Sequence, residues 1–182
     1  MSAAGEVRDT VVVGAGIVGV GVDAVSVERF RRLLERRPRF AARCFTDIEQ
    51  SDASGSADRA QSLAARFAAK EAVMKALGTG IGGFALTDVE VRRTEGRDAT
   101  RNAPFLVLHG TAAELAGAHG AGRFHLSLTH TDDVAIAFVV AEEGGRVPGA
   151  PGLSGRATGE TGAAIVATAA TAVAGSAACA PS

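Results

Sequence analysis

DRAQSLAARFAAKEAVMKAL, residues 58–77, is the strongest helix signal in this chain. It opens with an aspartate that can cap a helix, is rich in Ala, Leu, Lys and Glu, and ends at Gly78, a residue type that commonly follows a helix. At about 100° per residue, four apolar side chains share one stripe that should face the core: Leu63, Phe67, Met74 and Leu77. Lys70 falls in the same stripe, so its ammonium must either reach solvent or meet a buried anion.

The segments around this helix alternate between strand and helix patterns. Residues 17–25 are rich in Val and Gly and predict a strand, and Ser26 can cap a helix that Pro38 ends. Thr46 and Glu49 have the spacing of a capping box. The remaining predicted elements are strands over 84–93 and 105–108, a helix over 111–118, and a hairpin of 123–129 and 134–140 that turns at 130–133. The sequence therefore predicts an α+β fold.

Composition places this chain of 182 residues among ordinary globular proteins. It is 47% hydrophobic and 21% charged, with a net charge of -1, so no nucleic-acid partner is expected. No apolar stretch approaches the roughly 20 residues that a membrane helix needs. The two cysteines, Cys44 and Cys179, form neither a zinc pattern nor a disulfide framework, which favours a cytoplasmic protein.

A change in composition marks a domain boundary near Glu143. All eight phenylalanines lie between Phe30 and Phe138, whereas the residues that follow Glu143 are mostly Gly, Ala, Ser, Thr and Pro. Such a segment has too few large apolar residues to form a core. We therefore predict an N-terminal extension over 1–16, a folded domain over 17–143 and a flexible tail over 144–182.

One motif points to a different class of protein. Residues 14–19 read GAGIVG directly after three valines, the pattern of a dinucleotide-binding turn. Such a turn needs a helix immediately after the last glycine. Residues 20–27 are too rich in Gly and β-branched residues for that helix. A glycine-containing strand that packs closely is the favoured interpretation, and a flavin- or NAD-dependent oxidoreductase is kept as an alternative.

Charged side chains gather along the long helix. Glu71 and Lys75 stand four residues apart, which is typical of a surface ion pair. Arg66 and Lys70 add two cations, and the helix runs into GTGIGG at 78–83, whose backbone N–H groups could approach a phosphate. Several cations beside a single carboxylate suit a polyphosphate bound together with a metal.

Two carboxylates are candidates for Mg2+, which usually takes only one or two from a protein. One is Glu71. The other is Asp23, since it interrupts an apolar strand where an unpaired acid would be costly. An acid that bonds to backbone amides explains Asp23 equally well. His130, within SLTHT at 127–131, is either a solvated turn residue or a contact for a phosphate or ribose.

Four motifs in order resemble the holo-[acyl-carrier-protein] synthase family of 4'-phosphopantetheinyl transferases. They are GVGVD at 19–23, RFAAKEA at 66–72, KALGTGI at 75–81 and SLTHT at 127–131, and the resemblance runs over about residues 17–142. It implies the 4'-phosphopantetheinyl transferase fold, with an antiparallel sheet packed on one long helix and shorter helices. It also implies transfer of the 4'-phosphopantetheine arm of coenzyme A to a serine of apo-acyl carrier protein, with release of adenosine 3',5'-bisphosphate.

The resemblance implies roles for individual residues as well. Asp23 and Glu71 would hold Mg2+, and Lys75 would lie near the phosphates. Either Glu71, through a metal-bound water, or Lys75 would take the serine proton. The coenzyme A contacts would come from the other basic, loop and turn residues of the motifs: Arg66, Lys70, Gly78, Thr79, Gly80, His130 and Thr131. The family is typically a homotrimer with sites between subunits, so the motif around His130 could serve a neighbouring subunit.

Two residues depart from the family pattern. Met74 stands where members often have Ser, and Asp132 stands where a Lys is common. The first change removes a hydroxyl that could face a phosphate, and the second could weaken the affinity for the phosphates of coenzyme A. Neither change touches the carboxylates that would hold the metal.

A basic segment can be interpreted without the resemblance. Residues 28–43 contain seven Arg against two Glu in a chain whose net charge is -1. Such a run is usually a solvated face, but it would also steer an acidic partner, and acyl carrier proteins are acidic. Arg29, Arg32 and Arg36 lie on one side of the predicted helix, so we expect docking there. A non-catalytic module that only binds an acidic protein is the remaining alternative.

Overall fold

The computed structural model describes residues 16–94 and 103–144 and the backbone of Ile165–Val166. The predicted domain over 17–143 falls within these ranges except for 95–102. The predicted N-terminal extension and tail lie outside the described residues, apart from Gly16, Gly144 and the Ile165–Val166 backbone.

The described residues alternate between helices and strands. In chain order, the elements are β1 (Ile17–Ser26), α1 (Val27–Arg36), α2 (Phe40–Cys44), α3 (Asp47–Ser54), α4 (Arg59–Ala76), a 3-10 turn (Leu86–Asp88), β2 (Val89–Arg93), β3 (Pro104–Leu108), α5 (Gly110–Ala118), β4 (Ala121–His130), β5 (Val134–Glu143) and β6 (Ile165–Val166).

Two antiparallel sheets organise these elements. The first has the order β1-β5-β4 and the second the order β2-β3-β6. The predicted hairpin is β4–β5, and across its turn the Thr131 N–H donates to the Val134 carbonyl at 2.8 Å. The long helix α4 packs on the first sheet through β1 and β5. The α+β prediction, with an antiparallel sheet on one long helix, is therefore confirmed.

The predicted helix starts are also confirmed. Ser26, Thr46 and Asp58 each precede a helix and accept a hydrogen bond from a backbone N–H of its first turn. Glu49 completes the capping box, because its carboxylate accepts from the Thr46 N–H at 3.0 Å. Each such cap contributes about 1 kcal/mol. Local sequence thus fixes where α1, α3 and α4 begin.

Two glycines bring β1 very close to α4. A Cβ added to Gly19 would lie 1.9 Å from the Ala76 carbonyl oxygen, and one added to Gly21 would lie 1.9 Å from that of Ala72. The chain after Gly19 is strand, not helix. The dinucleotide-binding alternative is therefore wrong, and these glycines serve close packing.

One strand prediction was too long. Within the predicted strand over 84–93, only Val89–Arg93 forms a β-strand. Leu86–Asp88 form a 3-10 turn in which the Asp88 N–H donates to the Ala85 carbonyl at 2.8 Å. The Asp88 carbonyl in turn accepts from the His109 N–H at 2.7 Å. Apolar residues in this stretch thus pack from a turn, and the bond from His109 continues the β2–β3 register by one pair beyond Val89 and Leu108.

The core surrounds α4 on most sides. Leu63, Met74 and Leu77 are buried as the helical wheel predicts, and Phe67 is partly buried. Ala68, Ala69 and Ala72 have no exposed surface, so small side chains let the neighbouring elements approach.

Among the described residues, no helix is both long and apolar enough to cross a membrane.

Candidate active site

Asp23 is directed at α4 by the alternation of β1. Residues 19, 21 and 23 share one face of the strand, and Gly19 and Gly21 lie against α4. The Asp23 side chain is therefore on the helix side and is only 12% exposed. Asp23 therefore faces the helix that carries Glu71 and Lys75.

Lys75 supplies the partner of Asp23 from the last turn of α4. Its Nζ lies 2.8 Å from Asp23 Oδ1 and donates at 2.8 Å to the Val22 carbonyl. The Lys75 side chain is half exposed, so solvent and a ligand can reach the ammonium. Lys75 therefore pairs with Asp23 and not with Glu71 as predicted, and it acts on Glu71 only through its charge.

Glu71 lies one turn before Lys75 and forms a cluster with it and Asp23. Burial raises the pKa of the Glu71 carboxyl, and the negative charge of Asp23 and a hydrogen bond between the two carboxyl groups raise it further. Lys75 acts in the opposite direction. Two carboxyl groups therefore stand close enough to oppose each other's ionisation, with one ammonium beside them.

An open pocket gives access to this pair. Its volume is about 390 Å³, and both Asp23 and Glu71 line it. The rest of its wall comes from the end of β1 and from α1: Ala24, Val25, Ser26, Arg29, Phe30 and Leu33. The pocket thus combines acidic, basic and apolar walls.

The carboxylate pair fits a hard divalent cation. Among the described residues, no group of three or more His, Cys, Asp or Glu forms a metal cluster. Mg2+ does not need one, because it usually takes one or two carboxylates and fills its shell with water and substrate phosphate. A cation between Asp23 and Glu71 would relieve the repulsion that raises the pKa of Glu71.

The glycine-rich loop continues directly from the end of α4. Gly78, Gly80 and Gly82 have φ angles of 65°, 66° and 91°, which favour glycine. The Thr79 N–H and hydroxyl both donate to the Met74 carbonyl, at 3.1 and 3.3 Å. Thr79 therefore closes the helix in this structure, and the loop begins less than one turn beyond Lys75.

Lys70 does not lie in the pocket. Its side chain has no exposed surface, and its Nζ contacts Glu49 Oε2 at 2.7 Å and the carbonyl oxygens of Leu86 and Val89. All three N–H donors are then used inside the protein. The prediction that Lys70 binds the cofactor is therefore wrong. The buried anion that the helical wheel required is Glu49.

Arg66 lies on another side of α4. It is five residues before Glu71, which turns the two side chains roughly 140° apart. Its guanidinium donates to Ser62 Oγ at 2.6 Å and pairs with Asp52 at 3.5 Å. It lines a separate groove of about 1000 Å³. Within one chain, Arg66 thus stays away from the carboxylate pair.

The SLTHT motif ends β4 at the tip of the hairpin. His130 is exposed and pairs with Ala135, which in turn pairs with Val25 of β1. Thr131 Oγ1 accepts from the backbone N–H of Val134 at 3.2 Å. His130 and Thr131 do not line the carboxylate pocket of their own chain.

Two of the arginines of α1 make ion pairs within the chain. Arg32 Nε lies 2.8 Å from Glu28 Oε1, and Arg31 Nη2 lies 2.8 Å from Asp58 Oδ2. Arg29 lines the carboxylate pocket. The sequence analysis missed the Arg31–Asp58 pair. The sequence shows that Asp58 can cap α4, but it does not show that the same carboxylate also pairs with Arg31 of α1.

Comparisons with known proteins agree with this geometry. A family model described as the 4'-phosphopantetheinyl transferase superfamily matches residues 19–139. The chain is 50% identical over 127 residues to the holo-[acyl-carrier-protein] synthase of Salinispora arenicola, which covers 69% of this chain and 98% of that protein.

Solved structures of such synthases also match. The Neisseria meningitidis synthase superposes with a TM-score of 0.61 at 35% identity, covering 70% of this chain and 99% of the other. A Bacillus anthracis synthase, crystallised in complex with CoA (3',5'-ADP), superposes with a TM-score of 0.56 at 34% identity, covering 71% and 100%. Fold, motifs and sequence identity agree, and the chain therefore belongs to the holo-[acyl-carrier-protein] synthase family of the 4'-phosphopantetheinyl transferases.

Proposed function

We propose that this protein transfers 4'-phosphopantetheine from coenzyme A to a serine of apo-acyl carrier protein, uses Mg2+ and releases adenosine 3',5'-bisphosphate. One observation carries the proposal: Asp23 and Glu71 line one open pocket, and the half-exposed ammonium of Lys75 pairs with Asp23. Two carboxylates and one ammonium are the groups that a metal-bound pyrophosphate needs. The CoA-bound relative supports the choice of substrate.

Asp23 and Glu71 are the residues that would hold the metal. When bound, Mg2+ would neutralise charge on the pyrophosphate and orient it for displacement. Lys75 can place its ammonium beside the same phosphates, because its side chain is half exposed. Phosphoryl transfer depends mainly on such positioning and charge neutralisation.

Glu71 is the proton acceptor that we favour for the serine hydroxyl. Its carboxylate lines the open pocket and has two oxygens, so one could hold the metal while the other accepts the proton, directly or through a water. The alternative base, Lys75, donates two hydrogen bonds to Asp23 and the Val22 carbonyl. An ammonium that donates in this way suits charge stabilisation better than proton removal.

The nucleotide end of coenzyme A would contact residues from two subunits. Gly78 and Gly80 continue from the helix that carries Lys75, whereas Arg66, His130 and Thr131 lie away from the carboxylate pocket of their own chain. A homotrimer could bring them together across an interface. An apolar sheet face supports such an assembly, since Val20, Val22, Ile136 and Phe138 are 37–53% exposed.

The acyl carrier protein would dock on α1, beside the pocket. Arg29 lies at the pocket and Arg36 in the last turn of the helix, while Arg32 shares its charge with Glu28. An acidic partner steered to these arginines would present its serine near Asp23 and Glu71. The cytoplasmic location stays a prediction.

Intact-mass spectrometry tests the proposal. Apo-acyl carrier protein is incubated with the enzyme, coenzyme A and Mg2+, with and without a chelator. We expect a mass gain of one phosphopantetheine group that chelation, Asp23→Asn or Glu71→Gln abolishes. Glu114→Gln, which changes an exposed glutamate of α5, is the matched control and should keep full turnover.

Two results would each overturn one part of the proposal, the first the transfer activity and the second the metal site. Carrier-protein binding without any mass gain would identify a non-catalytic binding module. A mass gain that survives chelation and both carboxylate variants would mean that Asp23 and Glu71 hold no required metal.

A further inference from the structure

We propose that Lys70 and Glu49 form a buried lock that fixes the rotation of α4 and thereby holds Glu71 opposite Asp23. Both are positioning residues for the carboxylate pair and touch no substrate. The inference rests on the proposed function, because it assigns the lock a role in holding a metal ligand. It replaces the cofactor role that the sequence predicted for Lys70.

Lys70 is held from three directions. Its Nζ donates to Glu49 Oε2 at 2.7 Å, to the Leu86 carbonyl at 2.9 Å and to the Val89 carbonyl. Both side chains of the pair are fully buried. An ammonium has three N–H donors, so no rotation of the side chain would free one without leaving a buried acceptor unpaired.

Glu49 extends the lock to two other elements. Its Oε2 also accepts from the Thr46 N–H at 3.0 Å, which is the capping box of α3. Its Oε1 accepts from the Val91 N–H of β2 at 3.0 Å. One carboxylate therefore links the start of α3, the middle of α4 and β2.

The lock lies next to the functional carboxylate in the helix. Glu71 follows Lys70 directly, so the two side chains differ by about 100° around the axis of α4. On another side of the helix, Gly21 of β1 contacts the backbone of Ala72. Glu71 thus stands between two fixed contacts. A rotation of α4 that broke the lock would also move Glu71 relative to Asp23.

Stability alone does not explain a buried ion pair here. Well-packed apolar residues often stabilise a fold as much as a buried ion pair does, because removing two charges from water is unfavourable. Apolar packing has no direction, however, whereas hydrogen bonds to three defined acceptors fix the angle at which α4 lies. The lock is therefore best explained by the geometry that it enforces.

The test compares metal binding with stability. Mn2+ is titrated into the full-length protein, without coenzyme A or carrier protein, and its binding is followed by water-proton relaxation. The variants are Glu49→Gln/Lys70→Met, which removes both charges, and Glu49→Gln, which keeps the capping box and is the milder change. Ala116→Gly, at a buried position of α5, is the control for destabilisation alone.

We expect the lock variants to bind Mn2+ roughly 10- to 100-fold more weakly, the usual effect of losing a residue that positions a metal ligand. The control should lower Tm and leave the Mn2+ affinity unchanged. Unchanged affinity in folded Glu49→Gln, or an equal loss in the control, would overturn the lock even if the double variant fails to fold.

The same titration separates the lock from the metal site itself. If the unmodified protein binds Mn2+ no better than Glu71→Gln does, the proposed metal site fails and the lock fails with it. If Glu71→Gln abolishes binding but the lock variants bind normally, only the lock is refuted.

Discussion

Replacing Gly21 with alanine should damage both folding and activity. The added Cβ would lie 1.9 Å from the Ala72 carbonyl oxygen and within 2.9 Å of two further backbone atoms of α4. No side chain can rotate away, since each of these neighbours is backbone. To reach ordinary contact beyond 3.4 Å, β1 and α4 must separate by about 1.5 Å.

Two consequences follow from that separation. Overpacking of this kind costs about 1–3 kcal/mol of stability. Asp23 lies two residues beyond Gly21, so the shift also moves it away from Glu71 and Lys75. A misplacement of roughly 1 Å can lower a rate about 100-fold. We therefore expect a lower Tm and a loss of kcat of about that size.

The assay pairs thermal unfolding with the transfer rate measured by intact mass. Gly117→Ala is the matched control, because a Cβ added at this helical glycine of α5 meets no atom within 4 Å. It should raise Tm slightly and keep the rate. If Gly21→Ala behaves like Gly117→Ala, then close packing of β1 on α4 does not set the geometry of the site.

Three other changes test separate parts of the site. Because the pKa of Glu71 is raised in the folded protein, its ionisation destabilises the fold at pH values above its ordinary pKa. Glu71→Gln should therefore raise the metal-free Tm more at pH 8 than at pH 4. Equal gains at the two pH values would refute the shift. Lys75→Met removes the ammonium beside Asp23 and should lower kcat by two orders of magnitude or more. An unchanged kcat would exclude a contact between Lys75 and the phosphates of coenzyme A. Arg36→Glu should raise the KM for the carrier protein, mainly at low salt, and leave kcat unchanged; a salt-independent KM would exclude docking on α1.

The sequence predicts the local structure of this protein well. Caps at Ser26, Thr46 and Asp58 and the helical wheel of α4 depend on neighbours within a few residues, and all of them are confirmed. The strand over 84–93 was overestimated because Phe84 and Leu86 pack against the core from a loop and a 3-10 turn, not from a strand. A short run of core-facing apolar residues has the same sequence pattern in a turn as in a strand.

The candidate site shows the same contrast between local patterns, which can be predicted from the sequence, and contacts between distant segments, which cannot. Asp23, Glu71 and Lys75 could be singled out because charged residues interrupt apolar patterns, and the structure brings them together. Lys70 has the same signature in sequence, but its partner is Glu49, 21 residues away in the chain. Sequence alone shows that a lysine in a core stripe needs an anion, and only the tertiary structure shows which anion it meets.

The most direct test of the central claim is anomalous diffraction from a crystal of this protein soaked with Mn2+ and coenzyme A. Mg2+, which Mn2+ would replace in the crystal, binds a carboxylate oxygen at about 2.1 Å. The proposed function predicts an anomalous peak at that distance from Asp23 and Glu71, beside the pyrophosphate. A pyrophosphate bound elsewhere, or a peak that touches neither carboxylate, would contradict it.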